Sequence, residues 1–228
     1  MVTIERMKAD ESFAERLNDS LVRARKPLLV VLVVLIAVVV ALVAGILVVN
    51  DGERKGLSQL DDAYFTLTND AGNLTDEELF DRENTALSVL SALSSRGGVV
   101  GVRANLLMAE IQFQRQDYAA ARAAWLSAAD AKKGAYTAPL AYFNAAVCSE
   151  NLGDAAAAVQ YYTAAADAKD FLLVDHALFS LGRVHETNGD FAAAKVVYER
   201  LTDAATGSSW TNLAKTRLLA LQATGSIE

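Results

Sequence analysis

Hydrophobic positions change period three times along this chain. Phe13, Leu17, Leu21 and Ala24 fall at spacings of four, four and three, with Glu15, Arg16 and Arg23 between them. That spacing predicts a short amphipathic helix within residues 1–26. It reads either as a helix lying on a membrane surface or as a solvated extension of the segment that follows. Periodicity then disappears. From Leu28 to Val49 the chain reads LLVVLVVLIAVVVALVAGILVV, 22 residues with no charged or polar side chain. As a helix this run would be about 33 Å long, enough for the roughly 30 Å hydrocarbon core of a bilayer. Its 18 Leu, Ile and Val residues each favour insertion by roughly 0.3–0.6 kcal/mol. The run predicts a transmembrane helix, the one secondary structure that satisfies its own backbone in lipid as a single segment. It exceeds the roughly 7–15 residues of a signal-peptide core, although Ala41 and Ala44 leave cleavage open. A buried core strand or helix would be shorter and bounded by turns.

After residue 49 the pattern becomes that of a soluble helical protein. NDGERKG (50–56) predicts a polar linker. LSQLDDAYFTLT (57–68) predicts a helix, NDAGN (69–73) a turn, and 75–95 a second helix opened by Thr75 and Glu78 in capping-box spacing. RGGVVG (96–101) predicts a break.

From Val102 onward one phrase recurs: QRQDYAAARAAW (114–125), NLGDAAAAVQYY (151–162) and TNGDFAAAKVVY (187–198). Asp117, Asp154 and Asp190 stand 37 and then 36 residues apart, and Asp130, Asp167 and Asp203 keep the same separations. A period of that size is the signature of a solenoid built from one supersecondary unit. With two prolines in the whole chain and abundant alanine, each unit predicts a pair of helices. Gln116, Gly153 and Gly189 occupy the turn, where a left-handed conformation ends a helix. The Asp that follows caps the next helix. Four residues later Ala121, Ala158 and Ala194 permit close approach, and four later again Trp125, Tyr162 and Tyr198 fill the space between units.

This pattern resembles the second half of the tetratricopeptide repeat. The first half is carried best by HALFSLGRVHETNGDF, whose Leu181-Gly182 matches the family's Leu-Gly pair, with Ala145-Ala146 and Met108-Ala109 at the same places. The similarity covers about 102–205, and SSWTNLAKTRLLALQ (208–222) resembles the solvating final helix. The units depart from the family in lacking its usual Pro, in carrying Leu201 for a small residue, and in being two or three residues longer. The resemblance implies an all-α fold: a single N-terminal transmembrane helix (28–49) and a linker (50–56), then a divergent helical pair (57–101). About three repeats with a capping helix follow (102–228).

Charge and chemistry narrow the function classes. The N-terminal 26 residues are nearly neutral, while the part after the apolar run holds 15 basic and 23 acidic residues, a net of −8. With no basic tract, nucleic acid is not an expected partner. Arg23, Arg25 and Lys26 before the run, against Arg54 and Lys55 after it, favour a cytoplasmic N-terminus. Residues 50–228 are then extracytoplasmic, in a periplasm if the source is a diderm bacterium. His176 and His185 are nine residues apart, too far for an i, i+4 zinc pair. GGVVG (97–101) lacks the Lys-Ser/Thr of a phosphate loop. Cys148 reads as a buried, inert thiol. No catalytic, metal or cofactor site is expected, and an enzyme is not the expected class.

In tetratricopeptide proteins the first helix of each unit lines a groove that binds peptides or partner helices. Carried over by register, the resemblance implies groove positions Arg103, Leu106, Glu110 and Phe113 in the first unit. Leu140, Phe143, Val147 and Glu150 are their counterparts in the second, and His176, Phe179, Arg183 and Glu186 in the third. The floor Leu106–Phe143–Phe179 is apolar and suits a hydrophobic partner segment, unless helices 57–95 fold back and fill it. The layout resembles the membrane-anchored tetratricopeptide proteins of bacteria, in particular the ancillary subunit family of the SecYEG translocon. That resemblance implies a single-pass inner-membrane scaffold with its C-terminal domain outside the cytoplasm. It would bind protein partners such as translocon or envelope proteins and assist handover of exported chains. The second reading is a self-associating homo-oligomer that organises an envelope complex.

Overall fold

In the computed structural model, residues 2–132, 134–204 and 207–227 are described, with side chains from residue 25 onward except that of Leu28. The chain divides into two units, Met1–Arg54 and Lys55–Glu228. The described part of the first unit is helical and belongs to α1 (Val2–Thr68). Side chains from 29 to 49 are exposed, and this stretch is long and apolar enough to cross a membrane. The expected amphipathic face of Phe13, Leu17, Leu21 and Ala24 lies outside the described side chains. Residues 50–56, expected as a linker, are instead helical within α1. Gly52 and Gly56 each cost a helix about 1 kcal/mol, too little to stop one already nucleated. Gly56 has its own reason to be small. A Cβ there would lie 2.8 Å from a guanidinium nitrogen of Arg96 and 2.9 Å from a methyl of Val100.

The second unit is an all-helical array. After the end of α1 and a single 3-10 turn (Ala71–Asn73) come α2 (Asp76–Ser94), α3 (Gly98–Gln114) and α4 (Tyr118–Asp130). Next are α5 (Ala138–Asn151), α6 (Ala155–Ala166), α7 (Val174–Thr187), α8 (Phe191–Ala204) and α9 (Ser209–Ala223). The break at 96–101 is shorter than expected, because α3 begins at Gly98. Thr75 and Glu78 form the expected capping box, Thr75 Oγ1 accepting from the Glu78 N–H and the Glu78 carboxylate from the Thr75 N–H. The Thr75 N–H, and then the Thr75 hydroxyl donating to the same carboxylate at 2.9 Å, hold the Glu78 carboxyl below its ordinary pKa.

Three apolar clusters follow one another along the array. Leu57, Leu60 and Leu67 of α1 pack with Leu90 and Leu93 of α2 and with Val100, Ala104 and Ile111 of α3. Trp125 and four alanines of α4 join Ala141, Ala145 and Cys148 of α5. Tyr162, Tyr198, Leu201 and Leu221 centre the third cluster, which runs from α5 to α9. Residues 57–95 therefore form the first helical layer and do not fold back over Phe143 or Phe179. Polar clamps that the sequence pattern did not reveal fasten this layer. Arg115 donates to Glu83 at 2.5 Å, to Asn84 at 2.9 Å and to the Phe80 carbonyl at 3.0 Å, with its guanidinium over the Phe80 ring. Buried Asn105 donates to the carbonyls of Ser94 and Gly101.

The repeated phrase does what its residues predict. Gln116, Gly153 and Gly189 all have positive φ, at 62°, 72° and 78°. Asp117, Asp154 and Asp190 accept from the N–H groups of Ala120, Ala157 and Ala193 at 3.0–3.1 Å. Ala121, Ala158 and Ala194 are each fully buried. Asp154 also takes a bond from Arg122 at 2.8 Å, which ties α4 to the start of α6. Its carboxyl is held below the usual range by the Ala157 N–H first and by Arg122 second. Asp154→Ala is expected to destabilise the array through the lost cap. A chemical-denaturation midpoint that does not move would refute that role.

Candidate functional site

The positions implied as a groove separate into two cavities and one covered stretch. Arg103, Leu106, Glu110 and Leu140 line a cavity of about 330 Å³ together with Leu60 and Tyr64 of α1 and Trp125 of α4. Arg103 pairs with Asp61 at 2.8 Å across its rim. Phe143, Val147, Glu150, His176 and Arg183 line a second cavity of about 390 Å³, completed by Asn151, Tyr162 and Ser180. Phe113 and Phe179 line neither. Phe113 packs edge-on against Tyr118 of α4.

The expected continuous apolar floor is not what these side chains form. Phe143 is 7% exposed and packs edge-on against Tyr162. Its other side meets His176, whose ring stacks on Trp210 of α9 with centroids 3.9 Å apart and planes 8° from parallel. Trp210 also contacts Phe179 at 5.4 Å. The covering element is thus α9, at the opposite end of the array from the segment expected to do it. The signal lay in Trp210 itself, because a tryptophan at the start of a final helix must bury its ring against something. What remains open between α5 and α7 is mostly polar.

That polar stretch is a ladder between successive units. Arg183 of α7 donates to both Glu150 oxygens of α5, at 2.7 and 2.5 Å, and the Tyr162 hydroxyl donates to the same carboxylate at 2.6 Å. One unit on, Tyr198 donates to Glu186 at 3.0 Å and Arg217 of α9 is bidentate on that carboxylate. Burial, then the neighbouring carboxylate, pushes both tyrosine hydroxyls above their ordinary pKa. In the first unit the corresponding positions are Phe113, Val147 and Trp125. The indole N–H of Trp125 accordingly has no hydrogen-bond partner.

His176 is held below its ordinary pKa, by desolvation first and by the Arg183 charge second. Above the unfolded-state value of about 6.5 both states are neutral there and folding is unaffected. As pH falls below that value the unfolded chain takes the proton more readily, so stability is lost on acidification. His176→Phe should flatten the stability profile below pH about 6.5. An unchanged slope would show that other groups set it. Among the described residues no group of three or more His, Cys, Asp or Glu is placed to hold a metal. Cys148 is fully buried on α5, and desolvation pushes its thiol up to about 11.

Comparison with known proteins agrees with this geometry. The tetratricopeptide-repeat family model matches residues 140–170 and 175–206, which are α5–α6 and α7–α8 with their loops. A protein described as a TPR repeat-containing protein from Treponema pallidum (strain Nichols) is 33% identical over 147 residues, 63% of this chain and 62% of that relative. The chain therefore spans less than two thirds of the length of the relative it matches. No solved structure matches the chain. The α3–α4 pair lies before the matched residues yet repeats their left-handed turn, capping Asp and buried Ala. Residues 140–170 and 175–206 are thus similar to tetratricopeptide repeats, and they sit within a helical array.

Proposed function

We propose that this protein is a membrane-tethered interaction scaffold that holds protein partners at the extracytoplasmic face of a bacterial inner membrane. The observation that carries the reading is the pairing, in one chain, of a 22-residue apolar run, exposed over residues 29–49, with tetratricopeptide-like repeats. An exposed apolar surface of that extent is not stable in water and marks a membrane segment. The cations before the run favour an N-terminus in the cytoplasm. Handover of exported chains is the role the layout suits, since the array would then stand where they emerge.

The cavity floored by Leu106 and Trp125 is the partner site this reading favours. It is the more apolar of the two, and Tyr64 at its edge is 55% exposed and free to meet a ligand. A photo-crosslinking residue at Tyr64 or Glu110 in intact cells should yield discrete protein adducts. The same residue at Val196, 64% exposed on α8, should yield none. Equal adducts from all three positions would defeat the groove assignment. The anchor is tested separately: the full chain should stay with membranes through alkaline carbonate and leave only with detergent. A chain lacking 28–49 should be released. Retention of that shortened chain would overturn the tether.

A further inference from the structure

A large cavity lies at the edge where units are joined and adjoins the groove at Leu140, which lines both. It measures about 850 Å³ and lies between the α4–α5 and α6–α7 connections, with Tyr136, Leu140, Tyr142, Phe171, Leu172 and Leu173 in its lining. The two connections are built alike. Gly134 and Asp170, 36 residues apart, both take left-handed backbone at φ 71° and 60°. Two residues beyond each stands an apolar side chain in open solvent, Tyr136 at 94% and Leu172 at 95% exposure. The third connection has its left-handed residue at Gly207, and two residues beyond it is Ser209. Among the described residues, apolar side chains more than 90% exposed stand on both connections that flank the cavity.

We infer that this edge enters the interfacial layer of a lipid bilayer, with Tyr136 and Leu172 as the inserting tips. The inference rests on reading 28–49 as a membrane segment, which would keep a bilayer within reach. Two further observations select lipid over a protein ligand. A peptide cleft holds its apolar groups in its walls, whereas these two project almost wholly beyond theirs, a shape suited to a soft phase. Beside the tips are Lys132 and Lys169, which enter no ion pair among the described residues, whereas Arg103, Arg115, Arg122, Arg183, Arg200 and Arg217 all do. Lysines flanking an inserted apolar residue lay their methylenes along the hydrocarbon and lift the ammonium to the headgroups, and tyrosine favours that same layer. Lys132, Lys133 and Lys169 against Asp170 sum to a net charge of only +2, so apolar burial and not headgroup charge is taken to drive the contact.

The test uses the full chain reconstituted in phosphocholine nanodiscs, with an environment-sensitive fluorophore on Tyr136→Cys, Leu172→Cys or, as control, Val196→Cys. Native Cys148 is fully buried and its thiol is pushed up to about 11, so labelling at neutral pH selects the introduced thiol. Both tip labels should be quenched several-fold more by nitroxide lipids than the Val196 label, and less by aqueous iodide. The difference should persist in about 1 M salt, where charge contacts are screened within about 3 Å. Tip labels as wet as the control would overturn the inference and leave the edge to a protein partner absent from the disc. Quenching that vanished in salt would overturn insertion in favour of a charge-held contact. A chain that failed to enter nanodiscs at all, seen by size exclusion, would overturn the membrane reading itself. Leu172→Asp should return a Tyr136→Cys label to water.

Discussion

Tyr198→Ala is expected to cost about 3–5 kcal/mol, the range for truncating a buried aromatic side chain. Tyr198 is fully buried in the cluster that joins α7, α8 and α9, packs against Phe179, and donates its hydroxyl to Glu186. Alanine removes the ring and leaves the half-buried Glu186 carboxylate with Arg217 alone. Because each unit of a solenoid contacts only its neighbours, the loss should stay near its source. In hydrogen exchange of the full chain, amides of α7, α8 and α9 should lose protection by about 100-fold or more, since each 1.4 kcal/mol is tenfold. Amides of α3 and α4 should keep theirs. A loss spread evenly over the array would show that it opens as one cooperative body. Tyr198→Phe removes only the hydroxyl and should lose about 1–3 kcal/mol.

The second large effect is Gly182→Ala, where two principles oppose each other. Alanine favours the middle of a helix over glycine by about 1 kcal/mol. A Cβ on Gly182, however, would lie 2.5, 2.7 and 2.9 Å from the Cε1, Cδ1 and Cζ atoms of Tyr198. That ring is fully buried and has nowhere to move, and overpacking of this kind costs about 1–3 kcal/mol. The clash should win, giving a net loss of about 1–2 kcal/mol. Gly52→Ala, where nothing stands within 4 Å of the added carbon, should be neutral or stabilising in the same thermal-unfolding assay. Tyr198→Leu in combination with Gly182→Ala should recover part of the loss. If Gly182→Ala proved as harmless as Gly52→Ala, the close approach of α7 and α8 would be wrong.

Gly182 also shows why so much of the fold could be read from the chain. Residues that serve the helix pair itself lie a few positions apart, so their relation appears in a single stretch: turn, Asp, Ala, aromatic. The capping box at Thr75, the three Asp caps and the left-handed turns were legible for that reason. Contacts between units were not, because their partners stand a whole period apart. Nothing in the sequence pairs Glu150 with Arg183, 33 residues on, until the array is folded. The same holds for Trp210 against His176, which is why the apolar floor expected at Phe143 and Phe179 proved largely covered. The linker expected at 50–56 is helical for a different reason. Polar and glycine-rich composition predicts exposure well and helix ends poorly, and one of its glycines answers to Val100 rather than to flexibility. The loop tips, finally, needed the folded chain: Tyr136 and Leu172 look like ordinary core residues until their exposure is measured.

The ladder of Glu, Arg and Tyr bears on how such a chain could lengthen. Each Glu faces an Arg supplied by the element after it, so a copied unit must offer Arg to its predecessor and Glu to its successor. The α7–α8 unit does both, through Arg183 and Glu186. Inserted again before α9, it would leave every carboxylate matched. The α5–α6 unit carries Val147 where Arg is needed, and a second copy of it would set that valine against Glu150 of the first. Duplication of the α7–α8 unit therefore extends the ladder where duplication of α5–α6 would break it, and longer relatives that keep the ladder should show added repeats of the α7–α8 kind.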